Sequence, residues 1–512
     1  MIVKICMVLI FFGVAIGAGI YCRKSSASVD GFILGGRNVG PWMSAFAFGT
    51  SYFSAVVFVG YAGQFGWKYG IAALWAGIGN ALLGSLLAWW VLGARTREMT
   101  HRLGASTMPE FFGKRYKSNA LRIASALIIF VFLIPYTASV YNGLSRLFGM
   151  AFGIPYEVCV IVMAVVTCIY VVVGGYMATV VNDFLQGIIM LIGIIAVVVC
   201  VLGDNGGFMA SITSLSQIKA EGSDMLGAFT SMFGPDPLNL LGVVILTSLG
   251  TWGLPQMVQK FYAIKKGPAI KQGAIISTLF AFVVAGGSYF LGGFGRLYSG
   301  SVEMSASGTP VYDSIIPTML SGLPDIMLGL VVVLVLSASM STLSSLVLTS
   351  SSTLTLDLIK GNIVKEMSEK KQVFTMRGLL IVFVVISAVI AIFQYNSSVT
   401  FIAQMMAVSW GALAGSFLGP FIWGLYTKKV SKAAVAASFI CGVGLTMGNM
   451  IAGMCGVTII ASPVNCGAIA MLISLVIVPV VSLFTKHVEF DIKPPHSEGA
   501  IDREYIKELD EE

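Results

Sequence analysis

The chain has 512 residues, of which 57% are hydrophobic and 11% are charged, and its mean hydropathy is +0.89. This composition excludes an ordinary soluble globular protein of that length, so we predict an integral membrane protein. The formal net charge is +7. Because the basic residues cluster in segments expected on one side of the membrane, topology explains this charge, and it is no evidence for a nucleic-acid partner.

Apolar segments recur along the whole chain at the length of about 20 residues that a helix needs to cross a bilayer. Short polar or basic connections separate them. We predict thirteen transmembrane helices in an all-α membrane protein, at about residues 3–22, 41–63, 71–94, 123–145, 155–173, 179–203, 239–259, 272–295, 326–350, 376–394, 399–426, 433–453 and 465–485.

The distribution of lysine and arginine predicts the orientation, because cytoplasmic loops accumulate these residues. With the N-terminus outside, five basic residues fall on the outer side and the remaining 26 of the 31 fall on the cytoplasmic side. We therefore predict a multi-pass protein of the cell inner or plasma membrane, with its C-terminus in the cytoplasm. The first segment could also be a signal peptide, but Arg23 and Lys24 follow it directly, so we favour a retained helix.

The sequence offers little support for metal or nucleotide chemistry. No His or Cys cluster has metal-ligand spacing, and no nucleotide-binding signature is present, so we expect no nucleotide and no catalytic residues. Cys455 and Cys466 flank a loop expected outside and could form a disulfide, although we favour two free thiols.

A stretch rich in hydroxyl groups interrupts the ninth apolar segment. It reads LSASMSTLSS from Leu336 to Ser345. Such hydroxyls often bond back to the carbonyl one turn earlier, which would explain one or two of them. However, Ala338, Ser341, Thr342 and Ser345 share one helix face, and a face of oxygen atoms suits a hard monovalent cation.

Asp183 is the acidic residue that we place within the apolar spans, near the cytoplasmic start of the sixth. An ionisable group at membrane depth is costly and is a functional candidate by default. The alternative is a helix cap at the membrane interface. We expect no lysine or arginine within the membrane core.

Two apolar segments contain helix breakers. The second carries GTSYFSA at 49–55, and the seventh carries GTWGLPQ at 250–256, where Gly253 and Pro255 weaken a helix. Non-helical backbone at membrane depth is tolerated only where it is buried in protein or lines a cavity. Interrupted helices at corresponding positions of two halves indicate the central site of a transporter.

Several motifs together resemble the sodium/solute symporter family over about residues 30–430. They are ILGGRNVGPW, VVVGGYMATVVNDFLQGIIMLIG, GLPQMVQKFYAIK, SASMSTLSS and GSFLGPFIWGLYTKK. Among bacterial members the chain is most similar to the pantothenate and proline carriers. The resemblance implies two inverted five-helix repeats, with one helix before them and two after.

The resulting domain organisation has six parts. It comprises a first transmembrane helix with a cytoplasmic loop (1–40), the first repeat (41–203), an external loop (204–238), the second repeat (239–426), two additional helices (427–485) and a cytoplasmic tail (486–512).

The resemblance also implies a sodium site. It would use backbone carbonyls of Thr50, Phe53 and Ala338 together with the hydroxyls of Ser341 and Thr342. In the sialic acid carriers of the family an aspartate and further serines bind a second sodium ion, and the residues that match them here are Asp183, Ser344 and Ser345. Asp183 could instead be a relay on the sodium exit path.

The sequence predicts a sodium-coupled symporter for a small polar metabolite, an organic acid or amino acid, that is pantothenate-like or proline-like. Sialic acid or a sugar is the alternative substrate, and a membrane-embedded sensor or enzyme is the alternative class. We expect a protein that works as a monomer. The candidate substrate-binding side chains are Tyr136, Trp252, Tyr52, Ser54 and Gln404.

Proline itself fits the sequence poorly as the substrate. Proline carriers place an aspartate where this chain has Tyr52, and a tryptophan where it has Thr247. Tyr136, by contrast, matches a tyrosine that faces the substrate in those carriers.

Overall fold

The computed structural model describes residues 2–220, 226–305, 308–396 and 402–489, so most of the predicted tail lies outside the described residues. The α-helices are α1 (Ile2–Tyr21), α2 (Val29–Leu34), α3 (Pro41–Tyr52), α4 (Ala62–Tyr69), α5 (Leu74–Gly79), α6 (Ala94–Arg102), α7 (Met108–Arg115), α8 (Asn119–Phe152), α9 (Tyr156–Asp204), α10 (Phe208–Ser216), α11 (Pro237–Gly253), α12 (Pro255–Ala263), α13 (Pro268–Gly292), α14 (Ile315–Leu320), α15 (Asp325–Thr353), α16 (Glu369–Asn396), α17 (Ile402–Tyr426), α18 (Lys432–Met454) and α19 (Pro463–Phe484).

Shorter helical elements join or extend several of these helices. The π-helical stretches are Val56–Tyr61, Asn80–Leu87, Trp89–Gly93 and Leu354–Ile359, and the 3-10 turns are Cys22–Ser26, Gly35–Arg37, Gly70–Ala73, Ala228–Thr230, Gly295–Tyr298 and Tyr312–Ser314. The predominance of helix agrees with the predicted all-α class, because only helices and closed barrels satisfy the backbone inside a bilayer.

One small sheet departs from the all-α prediction. Strands β1 (Lys429–Ser431) and β2 (His487–Glu489) pair antiparallel, with Val430 opposite Val488. Neither strand is predicted from the sequence, because three-residue strands are too short to show an alternating pattern. They join the end of α19 to the connection between α17 and α18.

Ten helical segments of the described residues are long and apolar enough to span a membrane, and counting the bent pair α11 and α12 as one span gives eleven. The predicted count of thirteen differs because two segments are far longer than about 20 residues. Val56–Arg102 has 47 residues and Tyr156–Asp204 has 49. Each contains parts of two predicted helices.

The two most buried of these spans contain α15 and α17. Their apolar windows are 83% and 89% buried, whereas the other single-helix spans range from 22% to 56%. Helix α15 packs against α1, α3, α8, α9 and α16, and α17 packs against α8, α11, α18 and α19. The hydroxyl groups of α15 therefore face protein rather than lipid.

Proline and close-packed glycine help to define these helices. Proline stands in the first turn of α3, α11, α12, α13 and α19, where its missing N–H costs nothing. Gly66 packs against Gly292 so closely that a Cβ atom on Gly66 would lie 2.0 Å from the Gly292 carbonyl carbon. Small residues let membrane helices approach in this way.

The sequence predicts one acidic residue, Asp183, within the apolar spans. The structure shows a second one. Asp357 is completely buried in the π-helical stretch that extends α15, beyond the predicted end of that helix. Arg122 Nε lies 2.6 Å from one Asp357 oxygen, and the Thr107 hydroxyl donates to the other at 2.5 Å. Its charge is thus paired within the protein.

The eight cysteines are free thiols. Cys455 is exposed, whereas Cys466 is buried with its sulfur 3.6 Å from the Leu445 carbonyl oxygen. The favoured expectation of two free thiols at these positions agrees with the structure.

Candidate cation and substrate sites

The first predicted helix break is present. Helix α3 ends at Tyr52, Phe53 is extended (φ −86°, ψ 109°), and helical structure resumes at Val56. Because the last turn of a helix has carbonyl groups without helical partners, this break supplies free oxygen atoms inside the protein.

The second predicted break is also present. Helix α11 ends at Gly253, Leu254 is extended (φ −80°, ψ 125°), and α12 begins at Pro255 with a 47° change of direction. Pro255 causes the break, because its ring cannot continue the preceding helix and it lacks an N–H donor.

The hydroxyls of α15 meet the free carbonyls of α3. The Ser341 hydroxyl lies 3.1 Å from the carbonyl oxygens of both Thr50 and Ala338. The Thr342 hydroxyl lies 3.1 Å from the Ala338 carbonyl, 3.4 Å from that of Thr50 and 3.3 Å from that of Ser51. Four of the five predicted ligand residues of the first sodium site are therefore adjacent.

This oxygen cluster is buried and has the ligand chemistry of a hard monovalent cation, with oxygen and no sulfur or nitrogen. The Ser51 carbonyl was not predicted, although its place in the last turn of a broken helix was a usable signal. Phe53 lies at the break itself, and its backbone N–H donates to the Gly49 carbonyl. Its role as a ligand stays a prediction.

Asp183 is completely buried and lies eight residues beyond the kink at Gly175 within α9, so it is not at a helix terminus, and the alternative of an interfacial cap is wrong. The Ser345 hydroxyl, on α15, is 2.8 Å from the Ser51 hydroxyl and accepts a hydrogen bond from Lys260 Nζ at 3.1 Å. The Ser344 hydroxyl donates to the Ser341 carbonyl at 2.9 Å. Ser344 and Ser345 thus lie next to the first cluster, whereas Asp183 is connected to Ser345 through Lys260.

Lys260 corrects the expectation that the core contains no lysine or arginine. It is only 1% exposed on α12, and its Nζ atom lies 3.8 Å from Asp183 Oδ2 and 5.1 Å from the centre of the Tyr176 ring. Its position directly after the seventh predicted segment, 239–259, predicts a cytoplasmic loop. The apolar residues Phe261–Ile264, which separate it from Lys265, were the signal for burial.

Aromatic rings converge near the first helix break. The Trp410 ring centre is 5.9 Å from that of Tyr136 and 6.3 Å from that of Tyr52. The Tyr136 hydroxyl also lies near Ser54. Three predicted substrate residues are therefore grouped around a tryptophan that the sequence analysis missed, although it stands out among the small residues of SWGALAGS.

Several buried polar atoms near this group have no hydrogen-bond partner within the described part of the chain. They are the hydroxyls of Tyr52, Tyr61, Tyr136 and Tyr289, the Asn80 amide nitrogen and the Trp410 indole nitrogen. Tyr52 and Tyr61 lie near each other and near Tyr136 and Tyr289, and Asn80 lies near Tyr52 and Tyr289. Buried polar groups are normally hydrogen-bonded, so this neutral polar cluster is suited to a polar ligand.

The other two predicted substrate residues lie elsewhere in the same region. The Trp252 indole donates to the Leu83 carbonyl at 2.9 Å, so its polar group is already paired. Gln404 is half-buried in α17, less than two turns before Trp410. Their contact with substrate stays a prediction.

Helices interrupted at membrane depth, with free carbonyls and a neutral polar cluster beside the breaks, define a secondary membrane transporter. A family model described as the sodium:solute symporter family matches residues 32–442. The chain therefore belongs to the sodium:solute symporter family and is a sodium-coupled symporter, which confirms the resemblance noted in the sequence. Sodium is accordingly its coupling ion.

Two comparisons show how far this likeness extends. The chain is 28% identical to the sodium/proline symporter of Staphylococcus aureus (strain JH9) over 453 residues, which cover 85% of this chain and 83% of that protein. A solved structure of a Na⁺-coupled sialic acid symporter in a substrate-bound outward-open state superposes with a TM-score of 0.74 at 15% identity. The superposition covers 95% of this chain and 99% of that one, and it shows a common fold.

Proposed function

We propose that this symporter imports a small polar metabolite, an organic acid or an amino acid, together with sodium by alternating access. The observation that carries the substrate class is the neutral polar cluster around Trp410, whose unpartnered groups a ligand with several hydrogen-bonding atoms would satisfy. The cluster has no charged member, so a substrate carboxylate would use backbone donors at the helix breaks or a nearby sodium ion.

Of the more specific substrates, a sialic acid or a sugar stays a candidate, whereas proline is disfavoured. A sialic acid or a sugar is the alternative, because phenol and amide groups also bind sugar hydroxyls. Proline is the substrate named for the curated relative, yet Tyr52 replaces the aspartate of proline carriers. Thr247 replaces their tryptophan, and its hydroxyl bonds back to the Val243 carbonyl at 2.9 Å.

For sodium we propose a site made by the carbonyls of Thr50, Ser51 and Ala338 and the hydroxyls of Ser341 and Thr342. The short distances between these oxygen atoms support it. The Phe53 carbonyl is a further candidate ligand. The sequence also predicts a second sodium ion at Asp183, Ser344 and Ser345, but Lys260 lies against Asp183 and Ser345, so we propose the first site alone for the wild type.

We also propose the thirteen-helix arrangement, with the N-terminus outside, the C-terminus in the cytoplasm and two inverted repeats. Two glycines support dividing the long segments. Gly70 (φ 63°, ψ −140°) lies within Val56–Arg102, and Gly175 (φ 57°, ψ −147°) lies within Tyr156–Asp204. Only glycine adopts such backbone angles readily, so each marks a turn between two crossings. The eleven candidate spans then become thirteen.

A transporter that works as a monomer is proposed in preference to an enzyme or a sensor. The matched family and the related proteins are transporters. An enzyme would need a catalytic group near a substrate, and the polar cluster around Trp410 consists of phenol, amide and indole groups.

The test is uptake by the purified protein in proteoliposomes. Each candidate, including pantothenate, proline, a sialic acid and common organic and amino acids, would be offered with an inward sodium gradient and with potassium in place of sodium. We expect one substrate class to accumulate only with the sodium gradient. Accumulation that is equal in potassium would contradict sodium coupling, and failure of every polar metabolite would contradict the substrate class.

A further inference from the structure

We propose that the Lys260 ammonium group is a tethered cation, which occupies the position between Asp183 and Ser345 that a free cation would otherwise take. The carrier then binds one sodium ion, and loss of the lysine creates a second sodium site. The inference builds on the proposed function, because it concerns the number of ions that the same carrier binds.

The first argument is the position of the charge. Lys260 is 1% exposed and Asp183 is completely buried, so neither charge is solvated by water. An isolated buried charge is costly, and each therefore needs a counter-charge at this depth. Lys260 Nζ lies 3.8 Å from Asp183 Oδ2 and 3.1 Å from the Ser345 hydroxyl, and these two oxygens are ligands that sodium also accepts.

The second argument is that Asp183 keeps free coordinating capacity. Neither of its carboxylate oxygens has a hydrogen-bond partner among the described residues. The distance of 3.8 Å to Lys260 exceeds the roughly 2.8 Å of a hydrogen-bonded ion pair. In a purely structural salt bridge the ammonium group would donate hydrogen bonds to the carboxylate. Here the Asp183 oxygens keep lone pairs that could bind a bare cation if the ammonium group were absent.

The third argument is the link to the first cation cluster. The Ser345 hydroxyl contacts both Lys260 Nζ and the Ser51 hydroxyl, and the Ser51 carbonyl receives the Thr342 hydroxyl. The ammonium group therefore lies at the edge of the proposed sodium site. A second free cation beside it would meet a like charge in a buried, weakly screening environment, so the lysine excludes that cation.

Lys260 also stands on an element suited to movement. Helix α12 is short and follows the break at Leu254, so a change of backbone angles there would shift the ammonium group relative to α9 and α15. The ring of Tyr176 lies 5.1 Å from Nζ and supplies a further site of cation attraction.

The test is to count sodium ions bound to the purified carrier by equilibrium binding of radioactive sodium in detergent. We expect one ion in the wild type and two in Lys260→Met. Asp183→Asn should still bind one, because Asp183 serves the lysine and not sodium. Lys265→Met, an exposed lysine five residues away, is the matched control and should bind one.

Two sodium ions in the wild type, or one fewer ion in Asp183→Asn than in the wild type, would overturn the proposal. So would a Lys260→Met protein that gains no ion. If Lys260→Met does not fold, the wild-type and Asp183→Asn counts decide by themselves. If the wild type binds no sodium ion, the proposed first sodium site is contradicted. The tethered cation is then still tested, because Lys260→Met should bind one ion more than the wild type.

Discussion

The Ser341 hydroxyl lies 3.1 Å from the Thr50 carbonyl oxygen, although 291 positions separate the two residues in the chain. The contact joins a helix end at membrane depth to the most hydroxyl-rich face of α15. Neither element forms a cation site alone, because the carbonyls come from the break and the hydroxyls from the neighbouring helix.

Removal of both hydroxyls should weaken sodium binding without unfolding the protein. In Ser341→Ala/Thr342→Ala we expect half-saturating sodium for uptake to rise about 30-fold, if each lost oxygen ligand contributes about 1 kcal/mol. Ser339→Ala is the control, because the Ser339 hydroxyl only bonds back to the Val335 carbonyl. Unchanged sodium dependence in the double variant would place the ion elsewhere.

The Tyr136 hydroxyl should bind the substrate and contribute little to the stability of the fold. It has no hydrogen-bond partner among the described residues, so Tyr136→Phe should leave thermal stability unchanged while raising KM about 2- to 10-fold. Tyr116→Phe is the matched control, since its hydroxyl donates to the Pro420 carbonyl at 2.5 Å and its loss should lower stability instead. An unchanged KM in Tyr136→Phe would contradict this assignment.

Asp313, outside the spans, should make stability depend on pH. Burial raises its pKa to about 6, although the Ile402 N–H and Arg146 act in the opposite direction. Because the folded-state pKa exceeds the ordinary value of about 3.9, its contribution favours folding below about pH 4 and is lost as pH rises through 6.

Asp313→Asn should therefore be more stable than the wild type above pH 6, by up to about 3 kcal/mol, with the difference vanishing near pH 4. Thermal unfolding in detergent across this range measures it. The exposed Glu303→Gln is the control and should shift little at any pH. A constant difference between Asp313→Asn and the wild type at all pH values would contradict the prediction.

The ion pair of Arg122 with Asp357 should stabilise the fold. Asp357→Asn leaves the guanidinium group without its counter-charge, and we expect a loss of about 2–3 kcal/mol, less than for a fully buried pair because Arg122 is 23% exposed. Glu303→Gln breaks the exposed pair with Arg146, whose two side chains are 35% and 60% exposed, and should have little effect. Equal unfolding midpoints for the two variants would contradict the expected role of burial.

The orientation can be tested with reporter fusions. A reporter after Lys371 should stay in the cytoplasm, and one near Asp224 should be exported, because 26 of the 31 basic residues then lie inside. Activity of both reporters on the same side would rule out the thirteen-helix topology.

The sequence by itself determined the class of protein, the family and most of the first cation site. Apolar length, the breaks at 49–55 and 250–256 and the hydroxyl face of α15 are local patterns, and a local pattern can be read without knowing what it packs against. Tyr136 became a candidate through the resemblance to the proline carriers, and the structure groups it with Tyr52 and Ser54 of the first break.

The tertiary structure decided which charges and rings meet. Lys260 follows a predicted span and precedes further lysines, so its sequence position suggested a cytoplasmic loop, and only the packing of α12 against α15 and its neighbours shows that it is buried beside Asp183. The contacts of the Trp410 ring with Tyr136 and Tyr52 are likewise visible only in the packed structure. Contacts between distant helices depend on the folded arrangement, because the period of a single helix shows which face is polar but not which residue that face contacts.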